Sequence, residues 1–138
     1  MSTAYRIPDN ACACVPAGSA PAQTVPINRF DVRSFVTSVR DGGSVPAGTP
    51  FTLRGIAFDG GYGIRSVAVS VDGGMGWREA TLGNDLGRFA FRPFSFRFTP
   101  DSAGPRTILA RATNRLGETQ VDTLIFNPAG YHNNVVRP

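Results

Sequence analysis

The chain contains two cysteines and one histidine, the residue types that most often carry nucleophilic or metal chemistry. Cys12 and Cys14 are separated by one residue, whereas zinc and thioredoxin-like motifs place two residues between their cysteines. A disulfide across one residue would be strained, so we expect two free thiols. His132 is the sole histidine, which excludes a multi-histidine metal site and a Ser-His-Asp site. We expect it to be a surface residue.

The acidic residues coincide with turn signals and form no catalytic pair. Asp59, Asp72, Asp85 and Asp101 each precede or enter a turn, where an aspartate accepts hydrogen bonds from its own backbone. Trp77 could be a platform for a sugar ring, but its position just after a hairpin turn favours an anchor in the core or at the edge of the core. We therefore predict no catalytic, cofactor-binding or metal-binding residue in this chain.

Basic residues outnumber acidic ones, which gives a net charge of +4, and every basic residue is arginine. The arginines are dispersed and no aromatic stacking motif accompanies them, so we expect no nucleic-acid partner. Arginine is also favoured at protein interfaces and around anions, because its planar group pairs with two oxygens at once. No apolar run reaches the length of a membrane span and the first residues lack a signal peptide, so we expect a soluble chain with no membrane partner.

The elements that position these residues are short strands. Val67, Val69 and Val71 alternate with small residues, the chain then reverses at residues 72–74, and Trp77 opens a returning strand. Residues 63–82 therefore predict a β-hairpin.

Further alternating segments predict strands on both sides of this hairpin, at 32–38, 51–58, 88–99, 107–113 and 119–126. Phe94, Phe96 and Phe98 are two residues apart and should face one way. The pattern favours an all-β, immunoglobulin-like β-sandwich of about seven strands. Residues 1–28 contain four prolines and no repeating apolar period, so we predict an extended N-terminal connector before a domain at 29–138.

Four segments follow one another along the chain: SVAVSVDGGMGWREATL, RFAFRPFSFRFTP, RTILARATNRLGETQ and NPAGYHNN. Together they resemble the C-terminal dimerisation domain of the sulfite oxidase family of molybdopterin oxidoreductases, and the resemblance covers residues 30–134. The leader TAYRIPDNACACVPAG resembles the end of the family's molybdopterin domain, which implies that residues 1–28 are the linker or tail of a missing domain.

The resemblance implies a homodimer within a bacterial sulfite oxidase- or dehydrogenase-like enzyme. Molybdenum-molybdopterin would belong to the full-length enzyme and no cofactor to this chain, which would be inactive alone. The resemblance further implies a periplasmic location and a cytochrome c as electron acceptor. Sulfite, sulfane and other oxyanion substrates all remain open.

The resemblance also suggests which residues face the active site. In the family a cysteine of the preceding domain holds the metal, and neither Cys12 nor Cys14 matches that ligand. Animal and plant members bring an arginine of the closing loop to the anion pocket, and Ala129 stands at that position here. His132 and Arg137 are therefore the candidates for the active-site mouth.

Strand positions that should point outward carry arginines and aromatics, as surfaces buried between proteins do. Because a two-fold contact is self-complementary, arginines of one subunit would need acids of the other. The candidate residues of the dimer interface are Arg78, Glu79, Arg111, Glu118 and Asp122.

A second class of function stays open from the residues alone. The chain would then be a secreted immunoglobulin-like module that binds glycan or protein through Trp77 and Tyr62. A glycan-binding test separates the two hypotheses, as does a molybdopterin domain upstream in the gene.

Overall fold

The computed structural model describes residues 3–138, which form nine β-strands and no helix. The strands are β1 (Arg6–Pro8), β2 (Thr24–Pro26), β3 (Arg33–Val36), β4 (Phe51–Phe58), β5 (Ile64–Ser70), β6 (Arg78–Glu79), β7 (Thr81–Leu82), β8 (Arg92–Phe98) and β9 (Leu109–Asn114). All pairings are antiparallel. The described residues therefore include no helix that could cross a membrane.

Seven of the strands form two sheets that pack as a sandwich. The first sheet has the order β3-β4-β8-β7 and the second has the order β6-β5-β9. This architecture confirms the predicted all-β, immunoglobulin-like sandwich of about seven strands. The returning strand of the predicted hairpin is divided, because β6 joins the second sheet and β7 joins the first after the chain passes Ala80.

The core lies between the two sheets. It is filled by the apolar side chains that alternate along the strands. Val67 and Val69 of β5 face inward, and so do Phe94, Phe96 and Phe98 of β8, as predicted. The space between the sheets is tight near the middle of β4.

Gly55 marks the tightest point of β4. A Cβ atom added there would lie 2.2 Å from Cζ of Phe94 and 2.3 Å from the carbonyl oxygen of Phe35. Glycine is needed at this position because any side chain would overlap a core ring and a neighbouring strand.

The predicted strand at 119–126 is wrong, because only Thr119 bridges to β9. The Gln120 N–H still donates to the Ala112 carbonyl of β9 at 3.2 Å. The Val121 carbonyl instead accepts from the Val136 N–H of the C-terminal tail at 2.9 Å. The chain therefore leaves β9 after Gln120 and pairs with the tail at Val121.

The leader is more ordered than an extended connector. Its residues from 3 onward include β1 and β2, which pair with Ile7 opposite Val25. Met1 and Ser2 of the predicted connector lie outside the described residues. The domain boundary at residue 28 stays a prediction.

Candidate functional site

The closing loop, residues 127–134, places His132 against the start of β3. The buried Asn127 holds this loop, because its Oδ1 accepts from the Tyr131 N–H at 3.1 Å and its carbonyl accepts from Gly130 at 3.0 Å. His132 Nδ1 lies 3.4 Å from Asp31 Oδ1, and only 17% of the His132 side chain is exposed. The expectation of a surface histidine is therefore wrong.

The side chain of His132 lies among polar groups and is largely shielded from solvent. Its Nε2 atom is buried without a hydrogen-bond partner among the described residues. Burial raises the pKa of Asp31, while the nearby His132 and Arg33 oppose that rise and Glu118 adds to it. Asp31 and His132 thus form a half-buried polar pair at one end of the sandwich.

The second candidate for the active-site mouth, Arg137, lies on the tail beside β3. Burial lowers the pKa of Arg33, and the positive charge of Arg137 lowers it further. His132 therefore lies beside Asp31, and the charge of Arg137 acts on Arg33, two residues further along the chain. Whether this region faces an active site stays a prediction.

The two cysteines are bonded to each other, so the prediction of free thiols is wrong. Asn10 closes a tight turn around them: its Oδ1 accepts from the Cys14 N–H at 3.1 Å and its Nδ2 donates to the Cys14 carbonyl at 2.8 Å. Ala13 takes a left-handed φ of 48°, and the two Cα atoms come within 5.1 Å, a normal separation for a disulfide. The prediction from spacing failed because one left-handed residue between the cysteines lets them form a disulfide.

Trp77 is half-buried on the outer face of the second sheet and lies outside the core cluster, so the prediction of a largely buried core position is wrong. Its Nε1 donates to the Gly74 carbonyl at 3.0 Å, and the Arg111 guanidinium lies 4.0 Å from its ring centre. Arg111 also pairs with Asp122 at 3.2 Å within the same chain. Trp77 is half-buried because hairpin residues fold it back over β9.

The remaining predicted interface residues do not form one cluster. Arg78 lies over the Phe96 ring at 4.7 Å, and Glu118 accepts from Asn114 Nδ2 at 2.6 Å. Glu79 is exposed and stands opposite Ala68, whose other neighbour in the sheet is Arg111. Glu79 and Arg111 therefore share the outer face of the second sheet, where an interface role stays a prediction.

The aspartates behave as the turn signals predicted. Both carboxylate oxygens of Asp59 accept from the backbone N–H groups of residues 61–63, at 3.0 to 3.2 Å. Asp72 accepts from Gly76 and Asp85 from Gly87 in the same way, while Asp101 pairs with Arg106. These hydrogen bonds explain the carboxylates as parts of turns.

Sequence reasoning missed a cluster of exposed rings on the outer side of the first sheet. We call it the aromatic face; it consists of Phe30, Phe35, Phe58 and Phe91, and the exposed Phe89 precedes Phe91 by two residues. The Phe58 ring contacts the other three, with centroid distances of 6.4 Å to Phe30, 6.2 Å to Phe35 and 5.3 Å to Phe91. Phe30, Phe89 and Phe91 are 71%, 75% and 56% exposed.

Arginines flank the aromatic face. Arg33 lies over the Phe35 ring at 5.0 Å and Arg88 over the Phe89 ring at 4.8 Å. Single exposed aromatics are common, whereas a contiguous group with arginines is typical of surfaces that bind other proteins. The outward direction of Phe58 could have been predicted from the alternation of β4. Leu53 and Ala57 point inward, so Phe58, an odd number of residues from each, must point outward.

Neither ring of the predicted glycan platform is free. Arg29 covers the Tyr62 ring at 5.0 Å, as Arg111 covers Trp77. In residues 3–138, no group of three His, Cys, Asp or Glu side chains is placed to hold a metal ion. With both cysteines in a disulfide, the described residues do not fit a molybdenum centre.

Comparison with known proteins agrees with this architecture. The Mo-co oxidoreductase dimerisation domain model matches residues 24–136, and no curated protein matches the sequence. Among solved structures, the chain is similar to the sulfane dehydrogenase SoxCD from Paracoccus pantotrophus, with a TM-score of 0.73 and 24% identity. The match covers 96% of this chain and 33% of that chain, so this chain spans about a third of the SoxCD chain. Because the family model extends over the whole sandwich and its closing loop, the chain belongs to the family of Mo-co oxidoreductase dimerisation domains.

Proposed function

We propose that this domain joins two copies of a molybdenum-dependent oxidoreductase of the sulfite oxidase type, in which a preceding domain carries the molybdenum-molybdopterin. The observation that carries the proposal is the family match over residues 24–136. The exposed aromatic face supplies a surface suited to the contact. The domain itself does no redox chemistry at molybdenum.

The leader is proposed to be the end of that preceding domain and its linker, with the boundary near residue 28. Its residues pack on the closing loop: the Tyr5 and Tyr131 rings lie 5.9 Å apart, and the Val15 N–H donates to the Phe126 carbonyl at 3.0 Å. A preceding domain would therefore enter beside His132. This supports placing His132 and Arg137 near the active-site mouth.

A periplasmic location is part of the proposal. The Cys12–Cys14 disulfide supports it, because disulfides persist in oxidising compartments such as the bacterial periplasm. A cytochrome c as electron acceptor fits the same compartment. Sulfite is the substrate to test first, followed by sulfane sulfur.

The whole-enzyme proposal is tested on the protein that includes the preceding domain. We expect stoichiometric molybdenum by metal analysis and sulfite-dependent reduction of ferricyanide, whereas the 138-residue chain should show neither. Stoichiometric molybdenum in the 138-residue chain would contradict the assignment of the molybdenum site to the preceding domain. A preceding domain that binds no molybdenum would contradict the proposed enzyme.

Two faces compete for the dimer contact, and the structure favours the aromatic face. On the second sheet Arg111 and Asp122 already neutralise each other within one chain, so they need no partner subunit. On the first sheet the rings are exposed to water in the single chain. Covering them with a second copy would remove this apolar area from water, which is favourable. We therefore propose the aromatic face as the two-fold contact.

Charge substitutions separate the two faces. Phe91→Asp would bury a carboxylate at the proposed contact and should convert the dimer to a monomer in light scattering. Leu124→Asp is the matched control, because Leu124 is 57% exposed against 56% for Phe91 and is not among the proposed contact residues of either face. If Phe91→Asp stays dimeric while Glu79→Arg becomes monomeric, the contact is the face predicted from the sequence.

A further inference from the structure

The end of the sandwich where the leader meets the closing loop contains a small polar cavity. Its volume is about 200 Å³, and its lining includes Cys12 and Ala13 from the leader. Asp31 and His132 also line it. The disulfide of the leader therefore lies beside a space that a small group can enter.

This contact also concentrates backbone strain. Three non-glycine residues of the described chain have a left-handed φ, and all three lie here: Tyr5 at 56°, Ala13 at 48° and His132 at 57°. A residue with a Cβ atom in this conformation costs about 1–2 kcal/mol. Strain of this kind tends to concentrate at functional sites.

Ala13 is the single residue between the two bonded cysteines, so its conformation and the disulfide depend on each other. The turn is held by the Ala13 N–H, which donates to the Asn10 carbonyl at 3.0 Å, and by the two Asn10 side-chain bonds to Cys14. Cys12 is exposed and Cys14 half-buried. A reagent in solution can therefore reach a sulfur whose bond holds a strained residue in place.

We propose that the Cys12–Cys14 disulfide is a thiol–disulfide exchange site, whose substrates are alkyl thiols and whose reduction is favoured by the left-handed conformation of Ala13. Opening the ring frees Ala13 to leave that conformation. Exposed and strained disulfides are the labile ones, in contrast to buried structural bridges. The proposal is independent of dimerisation and of molybdenum.

The reaction has two steps. A thiolate attacks Sγ of Cys12, the more exposed of the two residues, the Cys12–Cys14 bond breaks, and Cys14 leaves as a thiolate that takes a proton. A second thiolate then attacks the sulfur of the first thiol in this mixed disulfide, and Cys12 leaves as a thiolate that is also protonated. Two thiols are thereby oxidised to one disulfide, and the cysteine pair is reduced to two thiols.

The test is a redox titration of the oxidised 138-residue chain in mixtures of reduced and oxidised glutathione. Remaining thiols are alkylated and counted by mass spectrometry, which gives the equilibrium constant for reduction. We expect reversible reduction in the native state, with an intermediate heavier by one glutathione. Circular dichroism checks that the sandwich stays folded throughout.

A matched pair of substitutions isolates the role of Ala13. Ala13→Gly removes the Cβ atom that opposes a left-handed φ, so it should shift the equilibrium about 5- to 30-fold toward the disulfide, the factor that corresponds to 1–2 kcal/mol. Ala11→Gly lies outside the disulfide ring and has no left-handed φ, so its equilibrium should stay within about twofold of the unmodified chain.

Three results would overturn the proposal. The purified chain could contain two alkylatable thiols before any reductant is added. The disulfide could resist millimolar glutathione until the chain is unfolded, which would make it a structural bridge. Ala13→Gly and Ala11→Gly could also give the same equilibrium constant, in which case the strain at Ala13 does not act on the disulfide.

Discussion

Gln120→Ala should destabilise this domain, because one buried side chain joins three separate parts of the fold. Gln120 covers the edge of β9 that faces away from β5. Its Oε1 accepts from the Ala112 N–H at 3.0 Å and from the Ser34 hydroxyl at 2.6 Å, and its Nε2 donates to the Asn134 carbonyl at 3.2 Å. One buried side chain thus joins β9, β3 and the closing loop.

The size of the effect follows from the groups that lose their partners. The Ala112 N–H becomes unsatisfied in a fully buried position, which costs about 1–3 kcal/mol. The Asn134 carbonyl loses a bond with a net contribution of about 1 kcal/mol. Ser34 keeps its contact with the Ala110 carbonyl at 3.0 Å. The sum is about 2–4 kcal/mol, or a melting temperature lower by about 6–15 °C in a chain of this length.

The chain supplies its own control, because Gln23 is its other glutamine and is exposed. Urea unfolding followed by circular dichroism should give a Gln23→Ala free energy of unfolding within about 0.5 kcal/mol of the unmodified chain. Gln120→Ala should show the full loss with an unchanged dependence on urea concentration. If the two variants unfold at the same urea concentration, Gln120 does not hold the edge of β9.

Three further perturbations test other parts of the structure. Gly55→Ala should cost about 3 kcal/mol or more by urea unfolding, since the new Cβ overlaps Phe94 and Phe35; a neutral result would refute the packing described for β4. Trp77→Ala should cost about 1–2 kcal/mol, below the roughly 3–5 kcal/mol of a fully buried aromatic, because the ring lies on the outer face against Arg111 and is only partly buried; a larger loss would place Trp77 in the core. The Gly87 N–H, and then Arg92 and Arg115, lower the pKa of Asp85, so its contribution is present above the ordinary carboxyl pKa and is lost as pH falls through the folded value. In Asp85→Asn the melting temperature should therefore decrease less steeply below about pH 4 than in the unmodified chain. An equal decrease in the two proteins would contradict this.

The core was predictable because burial follows a local period. The parity of Val67, Val69, Phe94 and Phe96 is visible in the sequence, and the structure places all four between the sheets. The same reasoning failed at 119–126, where alternation continues but the neighbouring edge of β9 is already satisfied by the Gln120 side chain. Whether a strand forms depends on a free partner, which local pattern does not reveal.

The surface features were less predictable because they depend on how separate segments meet. Phe30, Phe58 and Phe91 come from three parts of the chain, and their proximity follows only from the sheet order. Trp77 was expected in the core or at its edge from its position after the hairpin turn, whereas its Nε1 bonds to that turn and its ring packs under Arg111 on the outer face. Cys12 and Cys14 were judged by spacing, although the conformation of Ala13 decided whether they could pair.

The central claim is that this chain associates with a second copy of itself, and its mass in solution tests that most directly. Sedimentation equilibrium at micromolar concentration should give twice the 14.7 kDa mass of one chain, because a stable contact of about 1,200–2,000 Å² holds at such concentrations. A mass of 14.7 kDa, unchanged up to hundreds of micromolar, would contradict the account.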